Sequence, residues 1–223
     1  MPKGLIIAID GPSGAGKGTV AREVASRLGY RHVDTGAMYR AVAWKALGTA
    51  VELTDETAVA AVGERAVFDL EHGRVVIDGH DVVAAIRTPD IDRASAVVAR
   101  HPAVRRVLVA RQRELGREGG VVMEGRDIGT VVFPQADVKI YLDASPEERA
   151  RRRAADPTHA SSKVAQLSDV ATALAERDKS DSTRAASPLA VAADAVVIDT
   201  TGLSISDVID RVLQLVAASS RGR

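Results

Sequence analysis

The stretch IDGPSGAGKGT, residues 9–19, constrains this chain more than any other. Before it, Leu5 to Ile9 is a short apolar run that reads as a buried parallel strand. After it, Val20, Val24 and Leu28 recur at helical spacing until Gly29 stops the run. Strand, glycine-rich turn and helix together are the context in which a phosphate-binding P-loop operates. A helix N-terminus fronted by such a turn offers unpaired backbone N–H groups and a positive dipole end to an anion. Gly11, Pro12, Ser13, Gly14, Ala15, Gly16 and Lys17 fill the first seven positions, and Lys17 adds a charge for the β- and γ-phosphates. The eighth position, commonly a Ser or Thr hydroxyl that ligates Mg²⁺, is Gly18, with Thr19 one step late. Any metal is therefore expected to be held more by phosphates and water, or by Thr19.

The rest of the chain alternates strand and helix patterns. RHVD is a short strand, and Thr35 is placed to cap the helix that follows. Thr54 and Asp55 open a further helix running to about residue 67. Residues 67–83 carry short β-prone runs separated by HG and DG turns, which predicts a small antiparallel insert. Two helices follow, broken near Pro102, and then the strand GGVVMEG leads into the loop EGRDIGTVVFP. Strand DVKIYLDA precedes a helix capped by Ser145 with Pro146 in its first turn. A late helix, the strand DAVVIDT and a closing helix complete the chain. The expectation is an α/β three-layer fold with a central five-stranded parallel sheet, an antiparallel β insert and a short lid.

Composition excludes several classes. Acidic and basic residues balance at 30 each, so no nucleic-acid or anionic-membrane partner is indicated. There is no Cys, which rules out a disulfide framework, a thiolate metal site and a Cys nucleophile. The five histidines, at 32, 72, 80, 101 and 159, lack metal-ligand spacing and read as structural or exposed. The N-terminal apolar run is too short for a membrane span or signal core, so a cytoplasmic protein is expected. No long apolar stripe is left unassigned, which favours a monomer. Arg outnumbers Lys by 24 to 6, and the planar Arg fork grips phosphate bidentately, so arginine placement carries information.

The segment GPSGAGKGT resembles the P-loops of nucleoside monophosphate kinases, in which Gly-Lys-Gly-Thr is common. Four more stretches resemble bacterial cytidylate kinases: DTGAMYR at 34–40, IRT at 86–88, EGRDIGTVVFP at 124–134 and ERDKSDSTRA at 176–185. The resemblance implies transfer of a phosphoryl group from ATP to CMP or dCMP with Mg²⁺. It also implies a P-loop core of 1–34 and 101–223, with a lid at about 151–165, and a monophosphate-binding region of 35–100 holding the β insert.

The residue types suit that chemistry. The acceptor is an already anionic phosphate monoester, which needs charge neutralisation and alignment rather than a general base. By resemblance, Arg40 and Arg126 grip the CMP phosphate, and Arg184 serves the transferring phosphoryl group. Thr35 and Tyr39 line the monophosphate pocket, although Tyr39 also fits a packed core position. Cytosine offers an N4 amino donor beside N3 and O2 acceptors, and a carboxylate accepts from that amine. Asp127 is the implied base reader, with Arg105 donating to the acceptor side and Ser95 assisting at the amine. A helix-surface serine is the other reading of Ser95. Arg177 and Asp181 resemble a ribose-holding pair, but four apart on a helix they also suit a plain ion pair. Arg149, Arg151, Arg152 and Arg153 sit where the family carries its ATP lid. Arg153 first and Arg151 second are expected to reach the triphosphate, though a charge run also suits a solvated helix face. Glu124 stands where the family often has Asp, placed to hold Mg²⁺ waters or to organise the monophosphate site.

Two other readings compete. One is a P-loop kinase for another small acceptor, such as UMP, AMP or shikimate, which Asp127 and Arg105 argue against. The other is a non-catalytic ATP-binding switch, which has no need of arginines in three acceptor motifs. A GTPase switch is disfavoured because no Asn-Lys-x-Asp guanine reader is found.

Overall fold

The computed structural model describes residues 4–70, 73–156 and 167–221. Its first strand, β1 (Ile6–Asp10), runs into the P-loop, and α1 (Lys17–Leu28) follows. Helix α1 ends where Gly29 turns left-handed at φ 66°, a conformation glycine adopts without penalty. Next come β2 (Arg31–Asp34), α2 (Thr35–Gly48) and α3 (Glu56–Arg65). Three two-residue strands, β3 (Phe68–Asp69), β4 (Val76–Ile77) and β5 (His80–Asp81), form an antiparallel sheet. Helices α4 (Pro89–Val98) and α5 (Pro102–Gly116) lead to β6 (Val121–Gly125). A π-helical segment (Ile128–Val132), β7 (Val138–Asp143), α6 (Pro146–Ala155), α7 (Leu167–Thr183), β8 (Val196–Asp199) and α8 (Ile205–Arg221) complete the order.

The main sheet has five parallel strands in the order β2-β6-β1-β7-β8. Strand β1 lies at its centre because both faces of its apolar run are covered. Ile7 and Ile9 pack with Val20, Val24, Ile209 and Val212 of α1 and α8. Ala8 faces the other way, with Val109 of α5, Met123 of β6, Ile128 and Val132. Full burial of each isoleucine contributes about 2 kcal/mol. A second body packs α2, α3, α4 and α5 around Met38, Val42, Val59 and Leu108, and continues into the insert through Ile77, Val82 and Ile86. Trp44 packs partly buried against this last group.

The parallel sheet and the insert both appear where the sequence predicts them. Two local expectations differ. The cap of α2 is Asp34, whose carboxylate accepts from Ala37 N at 3.0 Å. Thr35 lies inside the helix, and its hydroxyl donates instead to the Glu124 carbonyl at 2.8 Å, tying α2 to β6. The stretch expected as a loop after Gly125 is in part a π-helical turn, shown by Val132 N→Asp127 O at 3.1 Å and Phe133 N→Ile128 O at 2.7 Å. Such turns are frequent at functional sites. Among the described residues, no helix is long and apolar enough to cross a membrane. Of the expected lid at about 151–165, residues 157–165 lie outside the described residues, as do His72 and His159.

Candidate active site

Parallel strands converge their carboxyl ends on one rim, and in open α/β sheets that rim is where ligands bind. Four of the five strands here end in Asp, at 10, 34, 143 and 199, and the fifth ends at Glu124-Gly125. A cleft of about 1310 Å³ opens over this rim. The residues from Ser13 to Thr19 line it, together with Thr35, Tyr39, Arg40, Ser95, Arg105, Glu124, Arg126, Asp127, Arg151, Arg153, Arg177, Asp181 and Arg184. Gly11 and Pro12 stand behind it. A Cβ at Gly11, where φ is +146°, would fall 2.0 Å from the Leu142 carbonyl oxygen, so only glycine fits there.

Lys17 opens α1, almost fully buried, and its Nζ donates to the Pro12 carbonyl at 2.7 Å. Burial first, and then the nearby Arg126 charge, push its ammonium down to about 7 against the opposing pull of Glu124 and Asp10. Phosphate oxygens arriving at this ammonium restore its charge. Binding of a polyphosphate at this ammonium is therefore expected to take up protons, more at pH 8 than at pH 6, where Lys17 is already largely charged. Calorimetry in buffers of different ionisation enthalpy measures this uptake. A heat independent of buffer at pH 8 contradicts it.

Glu124 ends β6 beside the P-loop. Its Oε1 lies 2.9 Å from His32 Nε2, and a Cβ at Gly18 would stand 3.2 Å from the same oxygen. The longer carboxylate thus occupies the space beside the eighth loop position, where many P-loops carry a hydroxyl. His32, read from sequence as structural or exposed, is its partner in the cleft. Mg²⁺ keeps most of its waters and binds through few carboxylates plus substrate phosphates. One carboxylate facing the phosphate-binding turn fits that demand. Among the described residues no group of three His, Asp or Glu could hold a metal by itself.

The arginines are aimed by carboxylates from other elements. Arg40 pairs with Asp34 at 3.0 Å. Asp181 accepts from Arg126 Nε at 3.0 Å and from Arg184 Nη1 at 3.2 Å. Burial works to raise the Asp181 pKa, but Arg126, Arg184 and Arg177 together hold it below the usual carboxylate value. Asp127 accepts from Arg105 Nη2 at 2.5 Å and has Arg184 Nη2 at 3.9 Å, while the Arg105 guanidinium lies 5.1 Å above the Tyr39 ring. Ser95 is buried rather than a helix-surface residue, and its hydroxyl donates to the Asp92 carbonyl. Arg177 and Asp181 do not make the plain ion pair that their spacing allows. Arg177 pairs with Asp92 at 3.5 Å, and Asp92 also holds Arg153. Burial first, then Arg126, lowers Arg177 to about 10.

Three donors in this array, Arg40 Nε, Arg105 Nε and Arg184 Nη2, are buried with no hydrogen-bond partner among the described residues. Unmet buried guanidinium donors are costly and suit a site that awaits an anionic or carbonyl-bearing ligand. On the lid side, Arg151 is exposed and held by Glu148. Arg152 bonds Thr200 twice and lies 3.8 Å from a Cβ placed on Gly16, so it is nearer the P-loop than Arg151. Arg149 donates to the Ser13 carbonyl at 3.2 Å and braces the loop. Sequence reasoning missed the roles of Asp10, Asp34, His32, Asp92 and Arg152. The repeated Asp at strand ends was the available signal for the first two.

A family model described as cytidylate kinase matches residues 7–218. A cytidylate kinase of Desulfitobacterium hafniense (strain Y51) is 50% identical over 218 residues, covering 96% of this chain and 94% of its own. One from Bacillus subtilis (strain 168) is 48% identical over 225 residues, covering 99% and 100%. Among solved structures, a shikimate kinase from Bacteroides thetaiotaomicron superposes with a TM-score of 0.52 at 10% identity, covering 96% of this chain and 98% of that one. At that identity the likeness concerns the fold alone.

Proposed function

The chain belongs to the cytidylate kinase family, a phosphotransferase family acting on CMP with ATP as co-substrate, and we propose how its residues divide that work. The γ-phosphoryl group passes directly and in line to CMP or dCMP, giving ADP and CDP or dCDP. The bond from the γ-phosphorus to its bridging oxygen breaks as a bond to an acceptor phosphate oxygen forms, with no phosphoenzyme. The P-loop N–H groups from Ser13 to Thr19 and the Lys17 ammonium hold the β- and γ-phosphates, while Gly11 and Pro12 shape the turn behind them. Glu124 and Thr19 would hold a nucleotide-borne Mg²⁺, which would supply charge neutralisation at the phosphates.

Arg40 and Arg126 hold the acceptor phosphate in a pocket bounded by Thr35 and Tyr39. Arg184 and Arg153 stabilise charge spreading over the transferring group, and Arg152, beside Gly16, serves the triphosphate with Arg153 and with Arg151 once Arg151 leaves Glu148. Arg177 and Asp181 hold the ribose. An ionised carboxylate has about four acceptor sites, so Asp181 can serve a hydroxyl beside its two arginines. Asp127 accepts from cytosine N4, with Ser95 assisting and Arg105 donating to the base's acceptor side. Uracil presents an acceptor at that position and repels the carboxylate. The core of 1–34 and 101–223 and the region of 35–100 carry the two halves of this site.

The observation that carries this reading is the Asp127–Arg105 pair facing the same cleft as Lys17 and the partnerless arginine donors. The test is a coupled ADP-release assay with Mg-ATP and CMP, dCMP, UMP, AMP or shikimate as acceptor. Turnover is expected to centre on CMP and dCMP. Asp127→Ala is expected to lower kcat/KM for CMP about 10- to 100-fold, the worth of one charge-assisted hydrogen bond. Turnover centred on another acceptor discards the cytosine assignment. Nucleotide binding without acceptor-dependent turnover points instead to a switch.

A further inference from the structure

Asp10 is a buried carboxylate that the mechanism above does not use. It ends β1, one residue before the P-loop begins, and in the sheet register it lies opposite Gly125. It does not line the cleft. Its two oxygens accept from Ile128 N at 2.8 Å and Gly129 N at 2.7 Å. Those are the first two N–H groups of the π-helical segment, and the residue at its cap position is Asp127.

An Asp at the entry to a helical turn ordinarily folds its own carboxylate back onto N–H groups of the first turn. Asp127 makes no such bond. The nearest of those donors, the Gly129 N–H, is already taken by Asp10, which reaches across from a neighbouring strand and also holds Ile128 N. The Asp127 carboxylate is thereby released to face Arg105 and Arg184 in the cleft. The approach is close, since a Cβ on Gly129 would sit 3.4 Å from Asp10 Oδ2 and 3.2 Å from Lys139 Cδ.

We infer that Asp10 is a specificity-determining positioning residue, a cap lent by β1 that frees Asp127 to read the base and fixes its height relative to the P-loop. The inference rests on Asp127 being the base reader. Asn at position 10 keeps the shape but brings an amide NH₂ against one of two backbone donors. That leaves one donor unmet and gives Asp127 reason to fold back as a local cap.

The experiment compares wild type, Asp10→Asn, Asp127→Asn and the double variant by kcat/KM for CMP and for UMP, with KM for ATP as control. For Asp10→Asn the CMP-to-UMP ratio is expected to fall about tenfold, chiefly through KM for CMP, while KM for ATP, which the lost charge near Lys17 also touches, changes less than that ratio. The double variant is expected to lose no more discrimination than Asp127→Asn alone, because both act through one group. A lower Tm with an unchanged CMP-to-UMP ratio in Asp10→Asn makes Asp10 merely structural and overturns the inference. So do additive losses in the double variant. If Asp127→Asn itself leaves the ratio unchanged, the base-reader assignment falls, and this inference falls with it. Should Asp10→Asn not fold, Asp10→Ala, which removes both acceptors without introducing the amide clash, is read by the same ratio.

Discussion

Lys17→Met is expected to lower kcat by roughly a thousandfold, about 4 kcal/mol of transition-state stabilisation, while leaving Tm unchanged or higher. Both halves follow from the same burial. The Lys17 ammonium is among the most enclosed charges in the chain, and burial pushes it down to about 7. In the free protein it donates to the Pro12 carbonyl of its own loop, an arrangement that orients it without compensating fully for desolvation. Methionine fills the same volume without that cost. In the proposed reaction the charge becomes valuable when phosphates reach the loop and meet a cation already oriented there. The sign of the pH effect is fixed as well. A lysine whose folded pKa lies below its unfolded value penalises the folded state at low pH. Wild type is therefore expected to gain stability on the variant as pH rises from about 7 towards 10.5. Steady-state kinetics with thermal melts across that range test both halves. A variant that keeps its kcat, or that loses kcat only in step with Tm, contradicts the account.

Asp181→Ala is expected to cost a hundred- to a thousandfold in kcat and about 3 kcal/mol in stability. One carboxylate on α7 aims two arginines that arrive from different parts of the chain, Arg126 after β6 and Arg184 beyond the end of α7. Without it, two largely enclosed guanidiniums remain side by side with one fewer counter-charge, and neither keeps its aim into the cleft. The arginines hold the Asp181 pKa below its ordinary value, against burial. Its contribution is thus present above about pH 4 and lost as pH falls through the folded pKa. The Tm gap between wild type and variant is expected to narrow in acid. A gap independent of pH, or a variant with full kcat, removes Asp181 from this role. Exposed pairs such as Arg93–Asp90 offer a contrast, since surface ion pairs contribute little.

Much of the fold was legible because its signals are local. The apolar run before Gly11, the stop at Gly29, the Ser145-Pro146 entry to α6 and the Asp78-Gly79 turn of the insert each act over a few positions. The structure follows them closely. The exceptions came where two local rules offered competing answers. Asp34 and Thr35 can each cap a helix, and the choice fell to Asp34 because the Thr35 hydroxyl has a better acceptor on β6. No periodicity announces five residues of π-helix at 128–132, whose first N–H groups are met by a carboxylate from β1.

The sequence by itself determined that this chain builds a P-loop on a parallel sheet and carries arginines and an Asp in the motifs of a cytidylate kinase. A phosphate-binding turn, an alternation of strands with helices, and residue identities at fixed spacing are all properties of short segments. Only the tertiary structure decided which carboxylate aims which arginine. Arg126 and Asp181 stand 55 residues apart, and Asp10 reaches Ile128 across 118. The Arg177–Asp181 pair that spacing suggests gives way to two long-range pairs, Arg177 with Asp92 and Asp181 with Arg126, and Asp181 keeps one local partner, Arg184. The physical reason is that local spacing offers each charge several partners of similar worth. Parallel strands bring residues distant in sequence to one rim, where desolvation makes the partner with the best geometry count for far more than an exposed neighbour one turn away.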